Sequence, residues 1–412
     1  MRTLIVLLAM VGALGAQTYD LVLKGGHVID PKNKIDRVMD VAITGEKIAR
    51  VAENIPASEG KRVANVAGLY VTPGLIDIHV HVYTGRAGTA GDSTSVQPDS
   101  FSFRTGVTTM VDAGTTGWKT FPDFRERIIS RARTRVLALL NITGAGMGDP
   151  KAENNASDMD PEAAAKMAKA NSDVIVGFKS AHYNGPGWPS VENAVKAGNL
   201  TDLPVMVDFG FITKERRLPE LLLDKLRPGD IYTHCYSGHR EEVLDDGKVN
   251  PAMVTGRKRG IFFDVGHGAG SFYWWVAIPA FEQKFWPDSI SSDLHSGSMN
   301  AGMKDMPNIM SKILNLGVPL AEVIAESTWN PAKQIKRPQL GHLDVGAEAD
   351  VAVLRLEKGS FGFIDSAGAG NPGTQRLVAE MTVRKGRVEW DLNGRAAPPW
   401  KTFPYRKTNY RR

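Results

Sequence analysis

The chain has 412 residues, of which 42% are hydrophobic and 23% are charged, and it carries a net charge of +5. Its length suits two or three domains, or one large barrel with attachments, because a domain averages about 150 residues. The composition is close to the globular average and excludes a mostly disordered, collagenous or coiled-coil chain. The single cysteine, Cys235, excludes an intrachain disulfide.

Residues 1–16 have the pattern of a cleavable signal peptide. Arg2 precedes an apolar run from Leu4 to Leu14, and the small residues Ala13 and Gly15 follow at the spacing that signal peptidase recognises. The run is shorter than the roughly 20 residues that span a bilayer. No later apolar stretch in the sequence is long enough to span one either. We therefore expect a secreted or periplasmic protein without a membrane span, with an uncleaved anchor as the alternative.

Two blocks near the ends of the chain, residues 17–70 and 339–394, carry short alternating runs that are typical of β-strands. Turn residues such as Gly25-Gly26 and Lys385-Gly386 separate these runs. Neither block is large enough to cover its own apolar face. We therefore expect the two blocks to pair into one small β-sandwich built from both chain ends.

The middle block, residues 71–338, alternates apolar runs with helical patterns. Near-continuous hydrophobic strands that are each followed by a helix are typical of parallel sheets covered on both faces. Eight such runs predict an α/β fold, specifically a (β/α)8 TIM-like barrel. The eight runs are residues 74–81, 106–112, 135–141, 174–179, 204–208, 230–234, 261–265 and 289–293.

A basic tail, residues 395–412, accounts for the net charge. It holds six basic residues and no acidic one, and the rest of the chain has 44 basic against 45 acidic residues. The folded body is therefore close to neutral, which disfavours nucleic-acid binding. We expect the tail to be solvated or to pack on its own domain.

Polar side chains close the predicted strands, at the barrel face where catalytic residues lie. His79 and His81 are two apart on a strand, so both leave the same face and can reach one cation. Burial of Lys179 lowers its pKa toward the neutral amine, which can take up carbon dioxide to form a carbamate. Further residues of metal-ligand type that follow strands are Asp112, Asp208, His234, Asp264, His267 and Asp293.

On the basis of these residues and the motifs around them, the chain resembles the amidohydrolase superfamily over residues 19–392. Within that superfamily it looks most like the deacetylase-type metallohydrolases related to dihydroorotase and D-aminoacylase. The motifs that carry the resemblance are residues 24–31, 71–81, 233–238, 263–268, 292–295 and 341–354.

The resemblance implies a hydrolase with two zinc ions. His79, His81 and Asp293 would bind the first ion and His234 the second, with a carbamate on Lys179 and a hydroxide between them. Asp293 would act as general acid and base in the cleavage of an acyl ester or amide. The superfamily usually has a histidine after the fifth strand, and this chain has Asp208 there. Asp208 can still bind zinc as a carboxylate, so its role as a ligand stays open.

The expected partner is a small molecule, such as an acetylated 2-hydroxy acid or an N-acyl amino acid. A cyclic amide or lactone hydrolase of the dihydroorotase kind is an alternative, and a catalytically silent binding protein is another. Assembly into a homo-oligomer stays open. The residues predicted to contact substrate are His182, Tyr183, Tyr236, His267, Ser292 and His295.

Overall fold

The computed structural model describes residues 18–85, 94–148, 150–208 and 218–405. The predicted signal peptide and the end of the basic tail, residues 406–412, lie outside these ranges. The described strands are β1 (Leu21–Asp30), β2 (Ile35–Thr44), β3 (Lys47–Ala52), β4 (Val63–Asn65), β5 (Tyr70–Pro73), β6 (Leu75–Val80), β7 (Val107–Gly117), β8 (Arg135–Asn141), β9 (Ile175–Ala181), β10 (Val205–Asp208), β11 (Ile231–Tyr232), β12 (Phe262–Phe263), β13 (Val351–Ile364), β14 (Gly370–Arg384) and β15 (Arg387–Asp391).

Helices follow most strands of the middle block, and several begin at a proline. The helix cap at Asp160 is typical: its carboxylate accepts hydrogen bonds from two backbone N–H groups at 3.0 Å, and Pro161 takes the first helical position. The helices are α1 (Pro98–Phe101), α2 (Phe121–Phe124), α3 (Pro150–Glu153), α4 (Pro161–Ala170), α5 (Pro189–Thr201), α6 (Pro219–Leu223), α7 (Pro251–Lys258), α8 (Trp274–Glu282), α9 (Met306–Asn315), α10 (Leu320–Ala325) and α11 (Trp329–Gln334).

A parallel sheet of seven strands forms the middle of the molecule. Its order, β12-β11-β10-β9-β8-β7-β6, places each strand beside its neighbour in sequence. Every pair is parallel, because helix-containing connections return the chain to the same end of the sheet. The predicted α/β class with a parallel sheet is confirmed.

The segment that was predicted as the eighth strand, residues 289–293, adjoins both edges of this sheet. Ser289 forms a parallel bridge with Asp264, just beyond β12, and Leu294 forms one with Val80 at the end of β6. The backbone N–H of His81 donates to the carbonyl of Leu294 at 2.8 Å. Asp293 therefore lies beside the end of β6.

A second sheet combines strands from both sides of the middle block. Its order is β15-β14-β13-β5-β1-β2-β3, and β4 pairs with β1. Hydrogen bonds join all eight strands into one mixed sheet, whereas the sequence predicted a sandwich. The predicted turn between β14 and β15 is present: Lys385 and Gly386 have φ angles of 48° and 72°, as a two-residue hairpin turn requires.

Alternation along the parallel strands sorts side chains between two apolar clusters. In β8, Leu137 and Leu139 belong to one cluster, while Val136 and Leu140 belong to the other. The same period of two places Asp208 on the face of Met206. Asp208 thus continues a buried apolar face at the end of β10. Among the described residues, no helix is long and apolar enough to cross a membrane.

Candidate metal centre

Three side chains at the end of β6 and beside it form a compact group of metal-ligand atoms. His79, His81 and Asp293 each offer one atom, and these atoms all lie within 4.8 Å of one another. The Oδ1 atom of Asp293 is 3.1 Å from Nε2 of His81 and 3.6 Å from Nε2 of His79. Burial alone would raise the pKa of Asp293, but the charge of His79 and the hydrogen bond with His81 hold this pKa well below its usual range. The carboxyl group is therefore ionised. We call these residues the first set.

Two buried threonines fix the orientation of both histidines. Nδ1 of His79 lies 3.0 Å from the hydroxyl of Thr233, and Nδ1 of His81 lies 2.9 Å from the hydroxyl of Thr115. Each hydroxyl donates its own proton to a carboxylate, so it accepts the Nδ1 proton of the histidine. With Nδ1 held in this way, Nε2 of each ring would be the atom that binds a metal ion. The accepting carboxylates are Asp264 for Thr233 and Asp112 for Thr115.

Lys179 lies on β9 and is fully buried beside this group. Its Nζ atom is 3.0 Å from Nε2 of His79 and 3.6 Å from Sδ of Met206. Burial lowers the pKa of the amine, against the attraction of Asp208 and other carboxylates. Gly114 packs against the lysine stem: its φ is 86°, and a Cβ there would lie 2.6 Å from Cβ of Lys179. A side chain at residue 114 would therefore displace the lysine.

A second set of ligand-type side chains converges on the carboxylate of Asp208, at the end of β10. Its Oδ2 atom lies 3.1 Å from Nε2 of His234 and 3.3 Å from Nε2 of His182. Its Oδ1 atom accepts a hydrogen bond of 3.1 Å from the buried guanidinium of Arg240. Asp208, His182 and His234 form what we call the second set.

The histidines of the second set are also held through Nδ1. Nδ1 of His234 donates to the carbonyl of Gly266 at 2.5 Å, and Nδ1 of His182 lies 3.3 Å from Oε2 of Glu153. Burial would lower the pKa of His182, but its bonds to Asp208 and Glu153 raise it to about 10. Two carboxylates thus favour a positive charge at this ring.

Both sets border a cavity of about 500 Å³. Most of its lining residues carry a polar or charged group, and such groups orient a small ligand. Five of its residues belong to the two sets. The lining residues are His81, Thr94, Thr115, Met147, Gly148, Glu153, His182, Asn184, Asp208, His234, His239, Arg240, Gly270, Ser271, Asp293 and His295.

Of the six residues predicted to contact substrate, His182 and His295 line this cavity. The Tyr236 hydroxyl donates to the carbonyl of Phe285, and the Tyr183 hydroxyl donates to that of Pro186. Both tyrosines are buried and absent from the cavity wall. The loops that carry these tyrosines pack the two rings into the interior, away from the strand ends.

The other two predicted contacts also lie behind the cavity. Ser292 hydrogen-bonds through its hydroxyl and its backbone N–H to the carboxylate of Asp77, which ties the residue before Asp293 to β6. His267 is fully buried, stacks on Phe272 with ring centroids 4.7 Å apart, and contacts Lys312 through Nε2 at 2.6 Å. These four residues do not line the cavity, and their contact with substrate stays a prediction.

Sequence reasoning missed the residues that support the ligand-type side chains. Thr115, Thr233, Glu153 and Arg240 each contact a residue of the two sets. Thr115, Glu153 and Arg240 lie outside the motifs that carry the resemblance, whereas Thr233 is the first residue of the motif 233–238. Thr233 directly precedes His234, and this adjacency is the one signal in the sequence that could have indicated it.

Comparison with known proteins gives matches over most of the chain. A deacetylase from Agrobacterium fabrum is 33% identical over 338 residues, which cover 80% of this chain and 81% of that protein. A crystal structure described as an adenine deaminase matches with a TM-score of 0.81 and 28% identity, over 90% of this chain and all of that one. One described as a dihydroorotase matches with a TM-score of 0.76 and 30% identity, over 89% and 98%.

The similarity to a deacetylase and to a dihydroorotase shows that the chain is an enzyme of the hydrolase class. The family model described as the amidohydrolase family matches residues 278–387. Together with the deacetylase relative, this match shows that the chain belongs to the amidohydrolase family. The resemblance stated from the sequence is thereby confirmed.

Proposed function

We propose that the protein is a zinc-dependent hydrolase that removes an acyl group, such as acetyl, from a small-molecule ester or amide. The observation that carries this proposal is the first set, whose ligand atoms lie within 4.8 Å of one another beside a cavity of about 500 Å³. The similarity to a deacetylase supports the choice of reaction. The proposed bond is a C–N or ester bond to a carbonyl.

The donor chemistry of the first set fits a zinc ion. Two imidazoles with fixed Nδ1 protons and one ionised carboxylate are the ligands that zinc takes in catalytic sites. His234, Lys179 and Asp208 would hold a second ion beside the first. When bound, such ions lower the pKa of a water molecule toward about 7 and polarise a carbonyl oxygen.

Lys179 would contribute as a carbamate rather than as an amine. The neutral amine attacks carbon dioxide, a C–N bond forms, and one proton is released, so the product carries two carboxylate oxygens and a negative charge. Burial of Nζ lowers the pKa of the amine and so favours the neutral, reactive form. The distance of 3.0 Å from Nζ to Nε2 of His79 supports this role.

Asp293 is the proposed general acid and base. Its side chain borders the cavity, and its ionised Oδ atoms can accept a proton from the attacking water and return it to the leaving oxygen or nitrogen. Its φ of 50° and the hydrogen bond from Ser298 to its carbonyl fix the residue at the cavity wall.

Closure of the parallel sheet into a ring would support this placement. We infer that residues 289–294 act as the eighth strand of a (β/α)8 barrel, since they form parallel bridges with the ends of both edge strands.

We also propose export through the N-terminal signal sequence, which N-terminal sequencing of the mature protein tests.

A cyclic amide is a second candidate substrate, because the structure described as a dihydroorotase is 30% identical and covers 89% of this chain. A panel of acetyl esters, N-acyl amino acids and cyclic imides, with metal analysis of the purified protein, decides between the two. Hydrolysis of acyl substrates supports the proposal, and turnover of cyclic imides alone supports the alternative. A zinc content well under one ion per chain, together with no turnover of any substrate, would support the alternative of a catalytically silent binding protein.

Replacement of Asp293 by Asn tests the proton-transfer role. Asparagine keeps the size of the side chain but cannot accept the proton, so we expect kcat to fall by about 10²–10⁴-fold while the zinc content stays near that of the wild type. The measurement is steady-state turnover with metal analysis on the same preparations. Turnover equal to the wild type would contradict this role.

A further inference from the structure

We propose that His182 is a ligand of the second metal ion, together with Asp208 and His234. This inference rests on the proposed function for the existence of a metal centre. It changes the role of His182 from a substrate contact to part of the centre itself.

The first observation is that two imidazoles share one carboxylate oxygen. Oδ2 of Asp208 lies within 3.1 Å of Nε2 of His234 and within 3.3 Å of Nε2 of His182. The first set has the same arrangement, in which Nε2 atoms of two histidines approach Oδ1 of Asp293. The second set therefore repeats the donor pattern of the first.

The second observation concerns the orientation of the ring. Glu153 lies 3.3 Å from Nδ1 of His182, and its other oxygen accepts a hydrogen bond of 2.6 Å from the backbone N–H of Gly148. A carboxylate that holds Nδ1–H leaves the Nε2 lone pair for a metal, which is the usual support of a metal-bound histidine.

A cation bound to Oδ2 of Asp208 would replace the Nε2 proton of His182, and Nε2 and Oδ2, which lie 3.3 Å apart, would then both bind it. His234 meets the same oxygen with its Nδ1 proton committed to Gly266. A divalent cation satisfies all three acceptors at once.

The backbone holds His182 in place for this role. Its N–H donates to the carbonyl of Asp208 at 3.2 Å, and its φ is 58°, a conformation that non-glycine residues seldom adopt. This left-handed turn directs the chain after β9 toward the end of β10.

Two other cavity histidines are engaged differently. Nε2 of His239 lies 2.8 Å from the carbonyl of Gly270, to which it donates. Nδ1 of His295 accepts from the backbone N–H of Gly297 at 3.1 Å, so the proton of the neutral ring is on Nε2. These residues therefore serve as controls within the same cavity.

The test is the number of zinc ions bound by the full-length protein after dialysis against zinc and then against metal-free buffer. We expect two ions per chain in the wild type and one in His182→Asn, because asparagine tolerates the left-handed backbone but has a shorter side chain. The same substitution in the control, His239→Asn, leaves two. In Asp208→Ala, which removes the ligand oxygens, the count also falls to one.

Cobalt titration gives a second measurement that does not depend on activity. We expect two binding steps in the wild type, and loss of the weaker step in His182→Asn with the tighter step unchanged. Two ions at wild-type affinity in that variant would overturn the inference, as would one ion in the wild type. Activity of the wild type on the acyl panel is scored separately, so failure of the proposed function is distinguishable from failure of this assignment.

Discussion

The first and second sets use similar side chains on different supports. In the first set, His79 lies on β6 and His81 follows it directly, and their ligand atoms with that of Asp293 lie within 4.8 Å of one another. In the second set, His182 comes from the loop after β9 and its side chain is 43% exposed. Donors on strands are preorganised, whereas a donor on a loop must be held by its neighbours. We therefore expect the first set to bind its ion more tightly.

Loss of a ligand from the first set is the largest change we expect. In His81→Asn the set keeps one imidazole and one carboxylate, so kcat/KM should fall by about 10³-fold or more. The measurement is kcat/KM with zinc content of the same sample. If His81→Asn and His182→Asn reduce kcat/KM equally, the two sets do not differ in the way proposed.

Removal of a supporting hydroxyl in the first set should have an intermediate effect. Thr233→Val keeps the shape of the side chain but removes the acceptor for Nδ1 of His79. Affinity for the tighter ion should fall by about 10–100-fold, measured by competition with a chelator. Thr233→Ser retains the hydroxyl and should stay near the wild type. An unchanged affinity in the valine variant would show that the threonine does not orient His79.

Removal of the support in the second set should have the smallest effect. In Glu153→Ala the ring of His182 loses its Nδ1 partner, so affinity for the weaker ion should fall by roughly tenfold and that for the tighter ion should not change. Glu153→Gln keeps an acceptor oxygen and is the matched control. A loss of the tighter ion in the alanine variant would contradict the separation of the two sets.

The sequence was sufficient to predict which ligand-type residues come together. His79, His81, Lys179, His234 and Asp293 each follow a buried apolar run, and parallel strands bring their carboxyl ends to one edge. The structure places Nζ of Lys179 3.0 Å from Nε2 of His79, although 100 residues separate them in the chain. The alternation of side chains along a strand and the alternation of strands with helices are local patterns. Both can therefore be seen in a single sequence.

Loop residues could not be assigned in the same way. Tyr183 and Tyr236 follow strand ends as His182 does, yet their hydroxyls bond to backbone carbonyls inside the packing. The direction of a side chain in a loop depends on the φ of single residues, such as 58° at His182, and on contacts distant in sequence. Glu153 and Arg240 support the second set for the same reason, without any motif that indicates it.

The mixed sheet has a consequence for synthesis of the chain. β5 pairs with β13 through the register of Val71 with Val353, and β1 pairs with β5. The strands at the start of the chain therefore cannot complete their sheet until the ribosome has made residues 351–391. A nascent chain that stalls after the parallel strands would keep the β5 edge open, available to holding chaperones or to unintended strand partners.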